Sequence, residues 1–110
     1  MTEFDFNYKR KKLTLRKAKY DNERIAIVIV DAGTGKRWGV LTCNIPEVDV
    51  PSGKFPIKTW SENKDIAEVI YNTCIFNDTQ VRAKNNNVTV EFWEFNDPSA
   101  LDNMPKLPKL

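Results

Sequence analysis

The chain has 110 residues, of which 41% are hydrophobic and 29% are charged. This length and composition fit one domain with a single core and a solvated surface. The chain contains no histidine, which excludes Ser-His and Cys-His catalysis and every metal site that uses histidine. Cys43 and Cys74 are far apart and follow no secretion signal, so we expect a reduced, cytoplasmic protein in which both are small core residues.

Charge is distributed unevenly along the chain, although the net charge is only +2. Residues 1–59 contain twelve Lys and Arg against seven Asp and Glu, whereas residues 60–110 contain five against eight. The first half is therefore basic and the second half is acidic. A net charge this small predicts no partner, but the asymmetry indicates a polar interaction surface.

The first predicted element is a β-hairpin. Residues 2–8 and 12–18 alternate between apolar and polar side chains, which is typical of half-buried strands. The basic residues between the two segments predict a charged turn. In the expected pairing, Phe6 shares a face with Leu13 or Leu15.

The centre of the sheet is predicted next. Ile25–Val30 is an unbroken apolar run rich in β-branched residues, as expected of a strand covered on both faces. The glycines of residues 32–36 predict a tight hairpin turn. They do not match a phosphate-binding loop, because its first glycine is missing and no helix pattern follows. The returning strand is predicted over residues 37–44 and ends before Pro46.

One helix is predicted after a connection at residues 47–55 that contains proline and glycine. Thr59 is a suitable N-cap for this helix, with Glu62 at the capping-box spacing, and Ser61 is the competing N-cap. The apolar stripe of the helix is expected to pack on the sheet. This stripe consists of Ile66, Val69, Ile70 and either Thr73 or Cys74.

A second hairpin is predicted from residues 79–84 and 88–95, around three consecutive asparagines. Trp93 breaks the alternation of its last strand. Either both faces of the strand are covered there, or a bulge lies near Phe92.

These elements predict an α+β fold, with a mainly antiparallel, twisted sheet of five or six strands and one helix packed on a face. We expect a single domain over residues 1–96. Residues 97–110 are predicted to form a proline-containing C-terminal tail, which lies on the surface or is disordered.

The segment Lys9–Lys19 contains seven basic residues and no acidic one. Such a cluster attracts nucleic-acid phosphates by counterion release, and exposed aromatic rings nearby would add base stacking. The same lysines are also typical of a protected edge strand, and they suit an acidic protein partner. The candidate nucleic-acid-binding residues are Lys9, Arg10, Lys11, Lys12, Arg16, Lys17 and Lys19.

Three tryptophans, Trp38, Trp60 and Trp93, suit either the core or an interface. Trp93 is the best candidate for an exposed anchor because it lies off the alternation of its strand. An acidic surface could also occupy a groove meant for nucleic acid. The predicted partner-binding residues are therefore Trp93, Glu91, Glu94 and Trp38.

Three separated blocks resemble a family of small uncharacterised proteins, a domain of unknown function. Residues 24–29 read Arg-Ile-Ala-Ile-Val-Ile, where the family pattern is close to Arg-Leu-Ala-Ile-Gln-Leu. Residues 41–46 and 58–63 are similar to the family patterns Leu-Thr-Val-Asn-Ile-Pro and Lys-Thr-Tyr-Ser-Glu-Asn. The resemblance covers about residues 2–72. Members occur in bacteria, phages and mobile elements, which implies a small accessory protein that binds host machinery.

The leading hypothesis is a non-enzymatic binding protein of phage or mobile-element type. It would inhibit or modulate a host protein, such as a defence nuclease complex. The alternatives are a nucleic-acid-binding module that uses Lys9–Lys19 and a homodimeric structural protein joined by sheet edges. We expect no enzymatic activity, no cofactor or metal, no membrane partner, and either a monomer or a homodimer.

Overall fold

The computed structural model of the protein describes residues 3–108 and 110 and contains two antiparallel sheets. Sheet A consists of β1 (Phe6–Tyr8), β2 (Lys11–Lys19), β3 (Ile25–Asp31) and β4 (Arg37–Val40), paired in that order. Sheet B consists of β5 (Lys54–Ile57), β6 (Phe76–Asn85) and β7 (Val88–Phe95), with β7 in the middle. The α+β class and the antiparallel pairing are confirmed, but the predicted single sheet of five or six strands is wrong.

The chain passes from sheet A to sheet B through residues 41–43. Thr42 forms an isolated antiparallel bridge with Ile57 of β5, and the Lys58 amide donates to the carbonyl of Leu41 at 2.8 Å. The connection predicted over residues 47–55, from Pro46, Pro51 and Gly53, overlaps the start of β5. Pro56 is tolerated because β5 is an edge strand, paired with β7 alone among the described strands.

The predicted central strand is confirmed. Residues 26–30 are all buried, and β3 is paired with β2 on one side and with β4 on the other. Ile27 and Ile29 face the main core, whereas Val28 and Val30 face the opposite side of sheet A. The predicted sharing of a face by Phe6 and Leu13 is also confirmed, since the two are directly paired between β1 and β2.

The main core lies between the two sheets and the helix α1, which spans Lys64–Tyr71. A single 3-10 turn at Ser61–Asn63 leads into α1. The predicted N-caps Thr59 and Ser61 are both wrong, because Trp60 is the extended residue before the turn and no described side chain caps either element. Asn63 instead ties the start of α1 to sheet A: its side-chain amide donates to the Val40 carbonyl at 2.7 Å.

The apolar stripe of α1 is shorter than predicted. Ile66 and Ile70 are buried in the main core and Val69 packs against it, but the helix ends at Tyr71. Cys74 lies beyond that end, at a positive φ of 67°, and its side chain is exposed. The prediction that Cys74 is a core residue is therefore wrong, because the stripe cannot continue past the last helical turn.

The second hairpin is confirmed, and its turn contains Asn86 at a φ of 59°. Phe92 and Trp93 point to opposite faces of β7 and are both buried, so both faces of this strand are covered. The irregularity in pairing lies in β6, between Asp78 and Arg82, where the Thr79 hydroxyl donates to the Phe92 carbonyl at 2.6 Å. The off-alternation position of Trp93 thus reflects burial on both faces.

Part of segment 97–110 packs into the domain. A one-turn helix α2 spans Ala100–Asn103, and both Ala100 and Met104 are buried in the main core. After Met104 the chain runs along the outer edge of β2, where Lys106 forms a parallel bridge with Lys17.

The ion pair beside the 3-10 turn gives a testable pH dependence. Lys58 Nζ lies 2.7 Å from Glu62 Oε2. This bond is the largest of the causes, ahead of hydrogen bonds from the Glu62 amide and Ser61, that lower the pKa of Glu62 from 4.5 to about 2. A lowered carboxyl pKa contributes stability above pH 4.5 that is lost as the pH falls through about 2. Replacing Lys58 by methionine should return the Glu62 pKa toward 4.5, which a carboxyl-resolved NMR titration would measure. An unchanged pKa would show that Lys58 is not its main cause.

Candidate nucleic-acid interface

Two hairpin turns lie at the same end of sheet A. The antiparallel register pairs Leu13, near the start of β2, with Asp31, at the end of β3. The turn between β1 and β2 and the turn between β3 and β4 are therefore neighbours. The Ala32 amide donates to the Lys12 carbonyl at 3.0 Å and joins them directly.

The turn between β1 and β2 is formed by Lys9 and Arg10. Their φ angles are 46° and 67°, so both residues adopt the left-handed conformation of a type I′ turn. Glycine and asparagine are preferred at these positions, and other residues pay about 1–2 kcal/mol each. The protein thus places two exposed cations at positions where backbone stability favours other residues.

The turn between β3 and β4 is organised by a carboxylate. Asp31 Oδ1 accepts hydrogen bonds from the amides of Gly33 and Thr34, at 2.8 and 2.9 Å. These bonds, and more weakly the charge of Lys11, lower the pKa of Asp31. Gly35 completes the reversal at a φ of 75°. The predicted hairpin turn is confirmed, and Asp31 occupies the amides that would otherwise face an anion.

An exposed aromatic ring lies beside these turns. Trp38 on β4 is 41% exposed, and its ring packs edge-on against Tyr8 with 5.5 Å between ring centroids. Lys9 Nζ lies 5.3 Å from the centroid of the same Tyr8 ring. Trp38 and the Lys9 cation thus contact the same Tyr8 ring. An exposed ring near a cation suits stacking of an unpaired base near its phosphate.

We define the basic end of sheet A as these two turns together with Trp38. It carries six exposed basic residues: Lys9, Arg10, Lys11, Lys12, Lys36 and Arg37. A groove of about 510 Å³ opens between the turns, and two carboxylates, those of Asp5 and Asp31, line it alongside three of the basic residues. The positive charge therefore exceeds the negative charge at this end.

The remaining predicted basic residues lie elsewhere. Lys19 is eight residues from Lys11 along β2, or about 26 Å at the usual rise of a strand. Lys17 Nζ donates to the Leu101 carbonyl at 2.7 Å, and Lys19 pairs with Glu23 at 3.6 Å. Arg16 donates to the carbonyl of Leu15 at 3.0 Å. The structure thus brings together Lys9–Lys12 but not the whole predicted segment.

Lys36 and Arg37 were missed by the sequence prediction. Lys36 ends the predicted turn of residues 32–36 and Arg37 follows it, so their place on a hairpin was visible in the sequence. Their proximity to Lys9–Lys12 depends on the pairing of β2 with β3, and local pattern does not specify that pairing.

The predicted protein-binding residues do not form one surface. Trp93 is only 3% exposed, so the prediction that it is an exposed anchor is wrong. Its indole Nε1 donates to Glu91 Oε1 at 3.1 Å, and Glu91 also lies 4.0 Å from Arg82. Glu94 has the opposite strand parity and accepts from the Asn77 amide at 3.2 Å. Of the four predicted residues, Trp38 is the one that is well exposed.

Two other candidate side chains, those of Trp60 and Cys43, are partly buried in the structure. Trp60 is half-buried against a small cluster that includes Ile45 and Phe92. Cys43 is also half-buried, and burial raises the pKa of its thiol. Within residues 3–108 and 110, no three His, Cys, Asp or Glu side chains are grouped so as to hold a metal ion. No helix in the same residues has the length and apolar character needed to span a membrane.

The fold and this end of sheet A define a small α+β domain with a basic, aromatic surface. No protein-family model, curated protein or solved structure matches the chain. The resemblance of residues 2–72 to a family of uncharacterised proteins therefore stays a prediction.

Proposed function

We propose that the protein is a non-enzymatic module that binds single-stranded nucleic acid through the basic end of sheet A. The exposed Trp38 ring carries this proposal, since it contacts the same Tyr8 ring as Lys9 and lies at the end of the sheet that holds the basic turns. Cations contact phosphates of any sequence, whereas a stacking ring needs a base that is not already paired. The combination favours a single strand over a duplex.

Salt dependence tests the proposal directly. A labelled single-stranded oligonucleotide would be titrated with the protein at several salt concentrations and followed by fluorescence anisotropy. If about four phosphates are contacted, the logarithm of affinity should fall against the logarithm of salt with a slope of about −3. Affinity should then drop about 50-fold between 50 and 200 mM salt. Equal or tighter binding to a duplex of the same length would contradict the single-strand preference.

A matched pair of variants separates this surface from general basicity. Lys9→Asn with Arg10→Gly removes two cations while supplying the preferred residues of the same turn, so loss of binding could not be ascribed to unfolding. We expect binding to weaken at least about tenfold, and Trp38→Ala to weaken it similarly. The control, Lys19→Ser with Lys84→Ser, removes two exposed cations elsewhere and should leave the affinity within about threefold. Equal losses in both double variants would exclude a localised site.

A second candidate function is the modulation of a host protein, the leading hypothesis from the sequence. It is favoured by three exposed carboxylates of the helical region, those of Glu62, Asp65 and Glu68, although Glu62 is ion-paired with Lys58. Because Trp93 is buried, any such contact would use these carboxylates or Trp38.

Affinity capture from a bacterial lysate, with and without nuclease treatment, distinguishes the two candidates. A defined protein partner that survives nuclease would support the modulator hypothesis. Partners that are lost after nuclease would support nucleic-acid binding at the basic end of sheet A.

A further inference from the structure

The groove at the basic end of sheet A is lined by side chains of both charges. Residues 10–12 contribute three cations from the first turn and the start of β2, whereas Asp31 and Gly33 belong to the second turn. Asp5, just before β1, supplies a second carboxylate. Phosphates and ionised carboxylates both accept hydrogen bonds and repel each other. A ligand that suits the whole groove therefore combines a phosphate with a hydrogen-bond donor close to it.

Asp31 retains the capacity to accept from such a donor. Its Oδ1 accepts hydrogen bonds from the amides of Gly33 and Thr34 at 2.8 and 2.9 Å, and the Thr34 side chain contributes a further hydrogen bond. A carboxylate offers about four acceptor positions on its two oxygens, so these bonds do not exhaust it. The bonds from Thr34 and Gly33 also lower the pKa of Asp31, so its side chain is an ionised acceptor at neutral pH.

The groove adjoins the aromatic ring that is available for stacking. Lys11, which lines the groove, is paired across the first hairpin with Tyr8. The Tyr8 ring in turn contacts Trp38, with 5.5 Å between ring centroids. A strand that stacks a base on Trp38 would therefore bring a neighbouring sugar and its phosphate to the groove. In RNA, that sugar carries a 2′-hydroxyl next to the phosphate, and this hydroxyl is a donor that DNA lacks.

We propose that the groove makes the protein selective for single-stranded RNA over single-stranded DNA. The ribose 2′-hydroxyl donates a hydrogen bond to Asp31, while residues 10–12 contact the adjacent phosphate. Carboxylates recognise ribose hydroxyls in the same way in dinucleotide-binding folds. This preference rests on the proposed function, because it specifies which single strand binds at the basic end of sheet A. DNA offers Asp31 no donor at this position and is therefore bound more weakly.

Three oligonucleotides of one length and one base separate the contribution of the hydroxyl. Labelled oligouridine RNA, oligodeoxyuridine DNA and 2′-fluoro oligouridine would each be titrated with the full-length protein and followed by fluorescence anisotropy. Uracil has no exocyclic amino group, so the base adds no amino donor. RNA should bind at least about fivefold more tightly than DNA, since hydrogen bonds to charged groups are among the stronger ones. The 2′-fluoro strand keeps an RNA-like sugar conformation without the donor and should bind like DNA.

Asp31→Asn tests the residue. The asparagine oxygen can keep the bonds from the turn amides, so its NH₂ group replaces the charged acceptor. The ratio of RNA to DNA affinity should fall to about twofold or less. DNA binding should persist or strengthen, because one negative charge is removed from the groove, and this persistence shows that the turn remains folded. The control Asp49→Asn removes an exposed carboxylate from the loop before β5 and should leave the ratio unchanged.

The outcomes separate this preference from the proposed function. Equal affinities for RNA and DNA overturn the preference alone and leave single-strand binding in place. An RNA preference that survives 2′-fluoro substitution, or one that persists in Asp31→Asn, also overturns the role of the hydroxyl and Asp31. Failure of all three oligonucleotides to bind at low salt overturns the proposed function and the preference with it.

Discussion

Replacing Trp93 with alanine should lower the free energy of unfolding by about 3–5 kcal/mol, as expected for removing a buried aromatic side chain. The Trp93 ring centroid lies 5.0 Å from that of Tyr71 and 5.7 Å from that of Phe76, at the contact between α1 and sheet B. The substitution also removes the donor to Glu91. A domain of this size has about 5–15 kcal/mol of stability in total, so the loss should be obvious in urea denaturation.

Trp38→Ala is the matched control for this prediction. Trp38 is 41% exposed, so its truncation should lower stability clearly less than Trp93→Ala does, although it removes the edge-on contact with Tyr8. We expect the two variants to differ in opposite ways: Trp93→Ala loses stability, and Trp38→Ala loses nucleic-acid binding. A Trp93→Ala protein that is as stable as wild type but fails to bind a partner would restore the sequence-based role of Trp93.

The wrong prediction that Trp93 is exposed shows which property the local sequence pattern does not reveal. Alternation in β7 indicates which residues share a face, but not that both faces are covered. One face meets the main core, and the other meets a cluster containing Ile45 and Phe92. That second cover comes from the loop between the sheets, so it depends on the division into two sheets. β3 was predicted correctly because six successive apolar residues indicate a strand that is buried on both faces.

Part of the basic end of sheet A was also predictable, because consecutive residues in the sequence form it. Lys9–Lys12 are consecutive, so any hairpin that turns there presents them together. Trp38 and Lys36 reach the same place only through the pairing of Leu13 with Asp31 and the contact of Trp38 with Tyr8. The local sequence therefore predicts Lys9–Lys12, whereas the positions of Trp38 and Lys36 depend on tertiary pairing. The predicted site, Lys9–Lys19, was too long, because Lys17 and Lys19 have structural partners elsewhere.

A buried hydroxyl lies at the junction between the sheets. Thr42 is 3% exposed, and its Oγ1 accepts a hydrogen bond from the Ile27 amide at 3.1 Å. The same Oγ1 is hydrogen-bonded to the Tyr20 hydroxyl at 2.8 Å. At Thr42 the pairing with β3 has ended, and the chain forms a bridge with Ile57 in sheet B. The hydroxyl thus satisfies an amide of the central strand at the point where the backbone of β4 no longer does.

Thr42→Val should therefore destabilise the protein by about 2–4 kcal/mol, although valine has nearly the same shape as threonine. The substitution leaves the buried Ile27 amide and the Tyr20 hydroxyl without this partner, and an unsatisfied buried group costs about 1–3 kcal/mol. Thr42→Ser keeps the oxygen and should cost about 1 kcal/mol, mainly from the lost methyl group. Urea denaturation compares the two variants, and hydrogen exchange should show faster exchange of the Ile27 amide in the valine variant alone.

The Tyr20 phenol gives an independent reading of the same junction. Burial raises its pKa, and the hydrogen bond to Thr42 opposes that rise. Removing the hydroxyl in Thr42→Val should therefore raise the Tyr20 pKa further, whereas Thr42→Ser should leave it near the wild-type value. An ultraviolet titration of the phenolate measures this difference. Equal unfolding free energies and equal Tyr20 titrations in the two variants would show that the Thr42 hydroxyl does not stabilise this junction.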